Sequence, residues 1–443
     1  LEQPFSAASH HDILILLVQV ALLLLTAQIM GELARRLGQP TVVGELMAGV
    51  LLGPSLLSGL IPALGEWIIP QTPVQGYLLE VVSLLGALFL LLITGLEMDL
   101  GLIRRQARTA IGVSLGGVTF SFASGFALGM LIPEDLLVDP AQRVVFAMFV
   151  ATSLAISAIP VVAKVLMDLG VIRRMVGQTI IAAGMIDDTV GWILLSIVAG
   201  LAAGEAVTAG SLLTSVGEVA LFMGLSFTAG RWLVIRAVNF TQDRMLGRER
   251  ILALMVILMF AWGAFAQLLN IEAVLGAFVV GILLGQIRTL QPEAIHTLER
   301  VALGIFAPIF FAVAGLKVNL IRLLEPRLLL ISVAMIVIAT LAKVAGTYVG
   351  ARYIGGRDHW TALSYGSGLT ARGAIGIIIA SVGLSLGILN QDVFSMIVLM
   401  SVATSIIAPV MLRWVLRHLE PTADELARQR QEALNPQSLL ANV

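Results

Sequence analysis

Val42 to Gly53 reads VVGELMAGVLLG, and Val274 to Gly285 reads VLGAFVVGILLG. Gly44, Gly49 and Gly53 in the first stretch recur with identical spacing as Gly276, Gly281 and Gly285 in the second. One apolar segment further on, GLEMDL (Gly95 to Leu100) is echoed by GLKVNL (Gly315 to Leu320). Two matches in the same order mark an internal repeat. What fold the repeat builds depends on how often the chain crosses a membrane between the copies.

That it does cross one follows from composition. Of 443 residues 58% are hydrophobic and only 12% charged, against about 25% charged in a soluble domain. The mean hydropathy is +0.98. A bilayer-spanning helix needs about 20 mainly apolar residues, and thirteen such segments are legible: 12–34, 40–62, 77–98, 107–132, 143–170, 176–204, 209–239, 250–270, 271–287, 301–320, 327–355, 359–387 and 392–418. Their apolar runs do not alternate, which excludes a β-barrel and makes the class an all-α membrane protein. The repeated motifs lie seven segments apart. Seven is odd, so equivalent helices run in opposite directions: six helices (12–204), a linker helix (209–239) and six more of inverted topology (250–418). Inverted repeats are common in secondary transporters, whose sites lie at the midplane on interrupted helices.

Basic residues orient the chain. Alternate loops and helix ends collect twenty arginines, from Arg35 and Arg36 to Arg428 and Arg430, whereas the opposite set has Arg143, Lys317, Arg322 and Arg327. By the positive-inside rule the arginine-rich side is the cytoplasm, with the N-terminus outside and the C-terminus inside. The chain begins at Leu1, read as a missing or processed N-terminus. The segment 419–443 reads as a solvated cytoplasmic tail. A net charge of -1 with no dense basic run argues against nucleic-acid binding. Absence of cysteine excludes disulfides and thiolate chemistry, and no nucleophile, metal-cluster or phosphate-loop motif suggests an enzyme.

Two segments read as interrupted at matched positions. Pro160 lies near the centre of ATSLAISAIPVVAK, where it removes a backbone donor and clashes with the Ile156 carbonyl. Its counterpart, SYGSGLTARGAIG, has four glycines around Thr370. Arg372 is placed to neutralise carbonyls freed by a break, and Thr152, Ser153 and Ser157 to offer oxygen ligands to a hard cation. Each hydroxyl is equally suited to bonding its own helix.

Asp187 and Asp188 are adjacent in the middle of segment 176–204. A carboxylate at the bilayer centre costs at least about 2.5–3.5 kcal/mol and usually pairs or marks an ion path. Neighbouring helix positions differ by about 100°, so the two serve different surroundings. Gly184 and Gly191 flank them and leave room for a cation or a close helix contact. Lys343 in segment 327–355 is the natural counter-charge, since its proton is movable when buried. Two acids against one lysine leave a carboxylate to be protonated, ion-bound or hydrated, the states through which a cation/proton exchanger cycles. No cofactor is required beyond the transported ions. A gated cation channel and a sodium-coupled organic solute carrier are the alternatives.

Taken in order, GQPTVVGELMAGVLLGPSLL (from Gly38), GLEMD (Gly95), ATSLAISAIPVVAKVL (Ala151), the Asp-Asp pair, LGAFVVGILLG (Leu275), PIFFAVAGLKVNL (Pro308) and LTARGAIG (Leu369) resemble the cation:proton antiporter-2 family of NapA-like, Kef and CHX exchangers. The resemblance runs from Gly31 to Arg417. It implies an NhaA/NapA-like fold, with a six-helix core sliding in an elevator-like way against a dimerisation domain, and a homodimer in the cell (inner) membrane, a thylakoid or other organellar membrane being the alternative. Asp188 would bind Na+ (or Li+) and protons in turn, and Asp187 would pair with Lys343, the electrogenic type. Ala374 stands where many relatives carry Glu after Arg-Gly, and the GLK at Gly315 resembles CHX members, which keeps a K+/H+ antiporter or a Kef/CHX-like K+ efflux system as the alternative. Relatives often carry a cytosolic regulatory domain after the last helix.

Overall fold

A computed structural model describes residues 9–419 apart from 55, 57–60, 62–64, 66, 203–208, 245–247, 270, 288–289, 291, 317–322, 324 and 373. The tail beyond Leu419 and the Lys317–Leu320 part of the second echo therefore lie outside the described residues. Among the described residues there is helix and no strand. In chain order the helices are α1 (His10–Arg36), α2 (Thr41–Leu52), α3 (Pro73–Leu96), α4 (Leu100–Leu131), α5a (Arg143–Ala155), α5b (Ile159–Asp168) and α6 (Met175–Ala202). There follow α7a (Ala209–Leu225), α7b (Arg231–Arg244), α8 (Arg248–Leu268), α9 (Ala273–Gly285), α10a (Pro292–Val301), α10b (Ala307–Leu316), α11 (Pro326–Val349), α12a (His359–Leu369), α12b (Ala374–Ser385) and α13 (Gln391–Leu416). Among the described residues ten helical stretches are long and apolar enough to cross a bilayer, with α2, α9 and the second half of α12 as shorter apolar helices.

Local chemistry sets several ends away from the hydropathy limits. The helix that begins the segment expected over 40–62 ends at Leu52, where Gly53 turns extended and Pro54 follows, a pair that stops a helix; most of 55–62 lies outside the described residues. The tenth segment starts at Pro292 rather than 301. Its first turns are amphipathic, carrying Glu293, His296, Glu299 and Arg300, and so escape a purely apolar count. Among the described residues three single π-helical turns, Ser226–Gly230, Ala302–Phe306 and Gly350–Ile354, join α7a to α7b, α10a to α10b and the end of α11 to its loop.

The repeated glycines make reciprocal contacts. A Cβ on Gly44 would lie 2.0 Å from the Met30 carbonyl oxygen of α1, and one on Gly276 2.3 Å from the Trp262 carbonyl oxygen of α8. Gly49 faces the backbone of α10b, with Ala312 O at 1.9 Å from such a Cβ, and Gly281 faces α3, with Leu92 O at 2.3 Å. Equivalent helices α4 and α11 meet glycine to glycine: Cβ atoms on Gly116 and Gly346 would each lie 2.2 Å from the other's carbonyl oxygen. Each contact in one half thus has its partner in the other, as a two-fold relation between halves requires.

Packing divides the helices into two bundles. α1, α2, α3, α8, α9 and α10 pack among themselves, whereas α4, α5, α6, α11, α12 and α13 form a second group. The groups meet where α5b lies against α2 and α3, and where α13 touches α2. The second bundle, three helices from each half, holds every intramembrane charge singled out at mid-helix.

Candidate functional site: a carboxylate pair at two broken helices

Both interruptions are present, and they cap each other. α5a stops at Ala155, and Ile156 and Ala158 take extended backbone before α5b starts at Ile159. Pro160 therefore does not kink a continuous helix at its centre. It sits in the first turn of a new one, where a missing N–H costs nothing. α12a ends at Leu369 and α12b resumes at Ala374. Across the gap the Ala158 N–H donates to the Ala371 carbonyl at 3.0 Å, and the Ser157 hydroxyl lies 2.7 Å from the Leu369 carbonyl. Backbone groups left unpaired by one break thus find partners in the other, the condition for irregular chain at membrane depth.

The carbonyls at the C-terminal end of α5a are met by cations. Arg372, fully buried, donates from Nε and Nη2 to Leu154 O at 2.9 and 2.6 Å, and from Nη2 to Ala339 O at 2.8 Å. Lys343 Nζ donates to Ala155 O at 2.8 Å. Positive charge at a helix C-terminus also opposes the negative end of its dipole.

Asp187 and Asp188 stand in unlike surroundings. Asp187 is completely buried and is met by three side-chain donors: Lys343 Nζ and Ser114 Oγ, both at 2.6 Å, and Ser157 Oγ at 2.9 Å. Ser157 has one hydroxyl hydrogen and two acceptors in reach, so it serves Asp187 or the Leu369 carbonyl, not both at once. Asp188 is 9% exposed, and its Oδ1 has no hydrogen-bond partner. Glu272, just before α9 in the other bundle, lies within electrostatic reach of Asp188.

The remaining sequence-derived residues fall around this centre. Thr152 and Ser153 donate to Met148 O and Phe149 O one turn back, at 2.8 and 2.9 Å, and Thr370 to Gly366 O at 2.8 Å. Their hydrogens are thus spent on their own helices, whereas Ser157 reaches the carboxylate. The space beside Gly191 is filled by Ile156, whose Cδ1 would lie 2.4 Å from a Cβ there. Gly191 hence serves the approach of the broken segment to α6. Ser114 and Glu272 were not found from the sequence. A lone serine in an apolar helix carries no signal, and a carboxylate at a helix start looks like any loop charge.

Comparison with known proteins agrees with this architecture. Two solved structures of the sodium proton antiporter MjNhaP1 from Methanocaldococcus jannaschii superpose with TM-scores of 0.60 and 0.63 at 15% and 16% identity. Each match covers 91% of this chain, with 96% and 98% of the respective MjNhaP1 chain. At that identity the likeness shows the fold. The Na(+)/H(+)-K(+) antiporter GerN of Bacillus cereus is 29% identical, over 89% of this chain and 95% of its own length. The Na(+)/H(+) antiporter NhaS4 of Synechocystis is also 29% identical, over 90% and 96%. Cation/H(+) antiporter 20 of Arabidopsis thaliana is 28% identical over 89% of this chain, which spans about half of that plant protein, 47%. The family described as sodium/hydrogen exchanger, transmembrane, matches residues 20–418. With two broken helices bonded to each other beside buried carboxylates and a match running through both repeats, the chain belongs to the sodium/hydrogen exchanger family of transporters.

Proposed function

We propose that the chain exchanges Na+ (or Li+) for protons across a cell membrane by alternating access, with Asp188 as the shared cation and proton site. The observation that carries this is the inequality of the two carboxylates. Asp187 has three side-chain donors, one of them a lysine, so its charge is answered inside the protein. Asp188 has an oxygen without a donor, and a buried carboxylate in that condition is answered by a proton or by a cation. Binding of either displaces the other, which couples the two fluxes. A proton leaving Lys343 when Asp187 changes partner would make the exchange electrogenic. Thr152, Ser153 and Ser157 can still accept, and their lone pairs are the further oxygen ligands we assign on α5. The assignments of Arg372, Thr370 and Pro160 as stabilisers of the breaks belong to the same proposal, as do the thirteen crossings, a cytoplasmic arginine-rich side and a homodimer in the inner membrane.

The test is pH-gradient dissipation in proteoliposomes of the purified protein. Na+ or Li+ should discharge the gradient, and Asp188→Asn should reduce exchange to the level of empty vesicles. Undiminished exchange by that variant overturns the assignment. K+/H+ exchange is the second reading, favoured by the mixed Na+ and K+ naming of GerN and by the yeast relative named K(+)/H(+) antiporter 1. A titration with K+ in place of Na+ decides between them.

A further inference from the structure

A second cluster of charges lies where the bundles touch, away from Asp187 and Asp188 and toward the arginine-rich side. α5b packs there against α2 and α3, and every residue from Ile159 to Leu166 is buried. Lys164 Nζ lies 3.1 Å from Asp168 Oδ1 on its own helix and 3.8 Å from Glu45 Oε1 on α2. Asp168 Oδ2 accepts from Thr41 Oγ1 at 2.8 Å and from the Val42 N–H at 3.3 Å, at the start of α2. One acid, Asp168, is therefore fully answered. Glu45 is not: it is 4% exposed, its contact to Lys164 is long, and its Oε2 has no hydrogen-bond partner.

Glu45 stands in the second turn of α2, enclosed by its neighbours. The charged groups that act on it are Lys164 and Asp168, both from α5b. α1 turns Gly31 and the Met30 carbonyl toward this turn of α2, α10b lays the Ala312–Leu316 backbone against Gly49, and Arg413 of α13 lies over Gly38 at the α1–α2 turn. Two carboxylates against one ammonium leave the cluster one negative charge in excess. A proton on Glu45 removes the excess and turns an unanswered carboxylate oxygen into a neutral group, which burial tolerates far better.

We propose that Glu45, Lys164 and Asp168 form a proton-operated latch between the two bundles, in which Glu45 holds a proton while the bundles are closed on the arginine-rich side and releases it when they part. The latch rests on the alternating-access reading above. It takes a proton distinct from the one exchanged at Asp188. By linkage, the open population rises about tenfold for each unit that pH rises on that side, over the range in which Glu45 titrates.

The chain has no cysteine, so a single introduced thiol reports opening. Val161 lies one turn before Lys164 on the same face of α5b and is 1% exposed. Val161→Cys, in the full chain in vesicles, is labelled with a membrane-impermeant maleimide from the arginine-rich side across the neutral pH range. Each rate is divided by that of the same thiol in denatured protein at the same pH. The ratio should climb with pH in the otherwise unaltered protein and in Asp188→Asn. It should stay low and flat in Glu45→Gln, and Glu45→Asp should restore a climb and covers the case in which Glu45→Gln does not fold. A climb in Glu45→Gln equal to that of the parent overturns the latch, and so does a flat ratio in a parent that exchanges ions. Labelling reads movement without flux, so absence of Na+-dependent proton flux in the parent counts against antiport and not against the latch.

Discussion

Lys343 Nζ touches an anion, Asp187 Oδ2 at 2.6 Å, and a carbonyl, Ala155 O at 2.8 Å. Removing it leaves Asp187 buried with two hydroxyls for company. Breaking a buried pair from one side costs about 3–5 kcal/mol, whereas replacing both partners by neutral groups is far milder. Lys343→Ala should therefore lower the unfolding temperature in detergent substantially, and the double variant Asp187→Asn with Lys343→Met should recover most of the loss. A double variant no more stable than the single one would show that the pair is not the source of the effect. Glu272 adds a negative charge within electrostatic reach of Asp188. Glu272→Gln should raise the Na+ concentration for half-maximal exchange by roughly two- to fivefold, through lost attraction. The charges themselves were legible in the sequence, because an acid or a lysine inside an apolar run has few bland explanations. Which acid is answered and which is not was hidden, since Ser114 is 73 residues from Asp187 and nothing in its own helix distinguishes it.

The breaks in α5 and α12 are the element on which those residues hang. Their existence was readable from Pro160 and from the glycines around Thr370. Their geometry was not, because the Ala158–Ala371 bond joins backbone atoms, which every residue has, and Pro160 proved to begin a helix rather than bend one. Arg372 shows how strongly the arrangement depends on shape as well as charge. Its planar fork reaches the carbonyls of Leu154 on α5a and Ala339 on α11 together. Arg372→Met should leave both without this donor, at about 1–3 kcal/mol each, and a reduced yield of folded protein with a lower unfolding temperature would record it. Arg372→Lys should restore only part, because an ammonium cannot reproduce the fork. Full rescue by lysine would mean that charge alone matters.

For the molecule as a whole, the pattern of glycines in α2 and α9 gave the two-fold relation before any coordinates, since only glycine admits carbonyl oxygens so close to its Cα. Division into two bundles was not legible in the same way, because most of the contact is apolar on both sides and its few charges, Glu45, Lys164 and Asp168, do not mark in the sequence which neighbour a helix prefers. The symmetry has a direct test. Gly49→Val and Gly281→Val should be equally damaging, since their new Cβ atoms would lie 1.9 and 2.3 Å from Ala312 O and Leu92 O. Gly76→Ala, with nothing within 4 Å of its Cβ, should be silent. Size-exclusion profiles of the three purified variants decide it, and a well-folded Gly281→Val beside a misfolded Gly49→Val would count against the equivalence.

The donors gathered on Asp187 come from α4, α5 and α11, and the two breaks bond each other, so all of these contacts lie inside one bundle. A displacement of that bundle as a body ruptures none of them. On the alternating-access reading proposed above, the activation barrier to carrying an ion across then lies in the seam between bundles, with its Glu45–Lys164–Asp168 cluster, and in the lipid around it. Turnover should accordingly respond to bilayer thickness and acyl-chain order more steeply than to conservative changes among the hydroxyls that line the site.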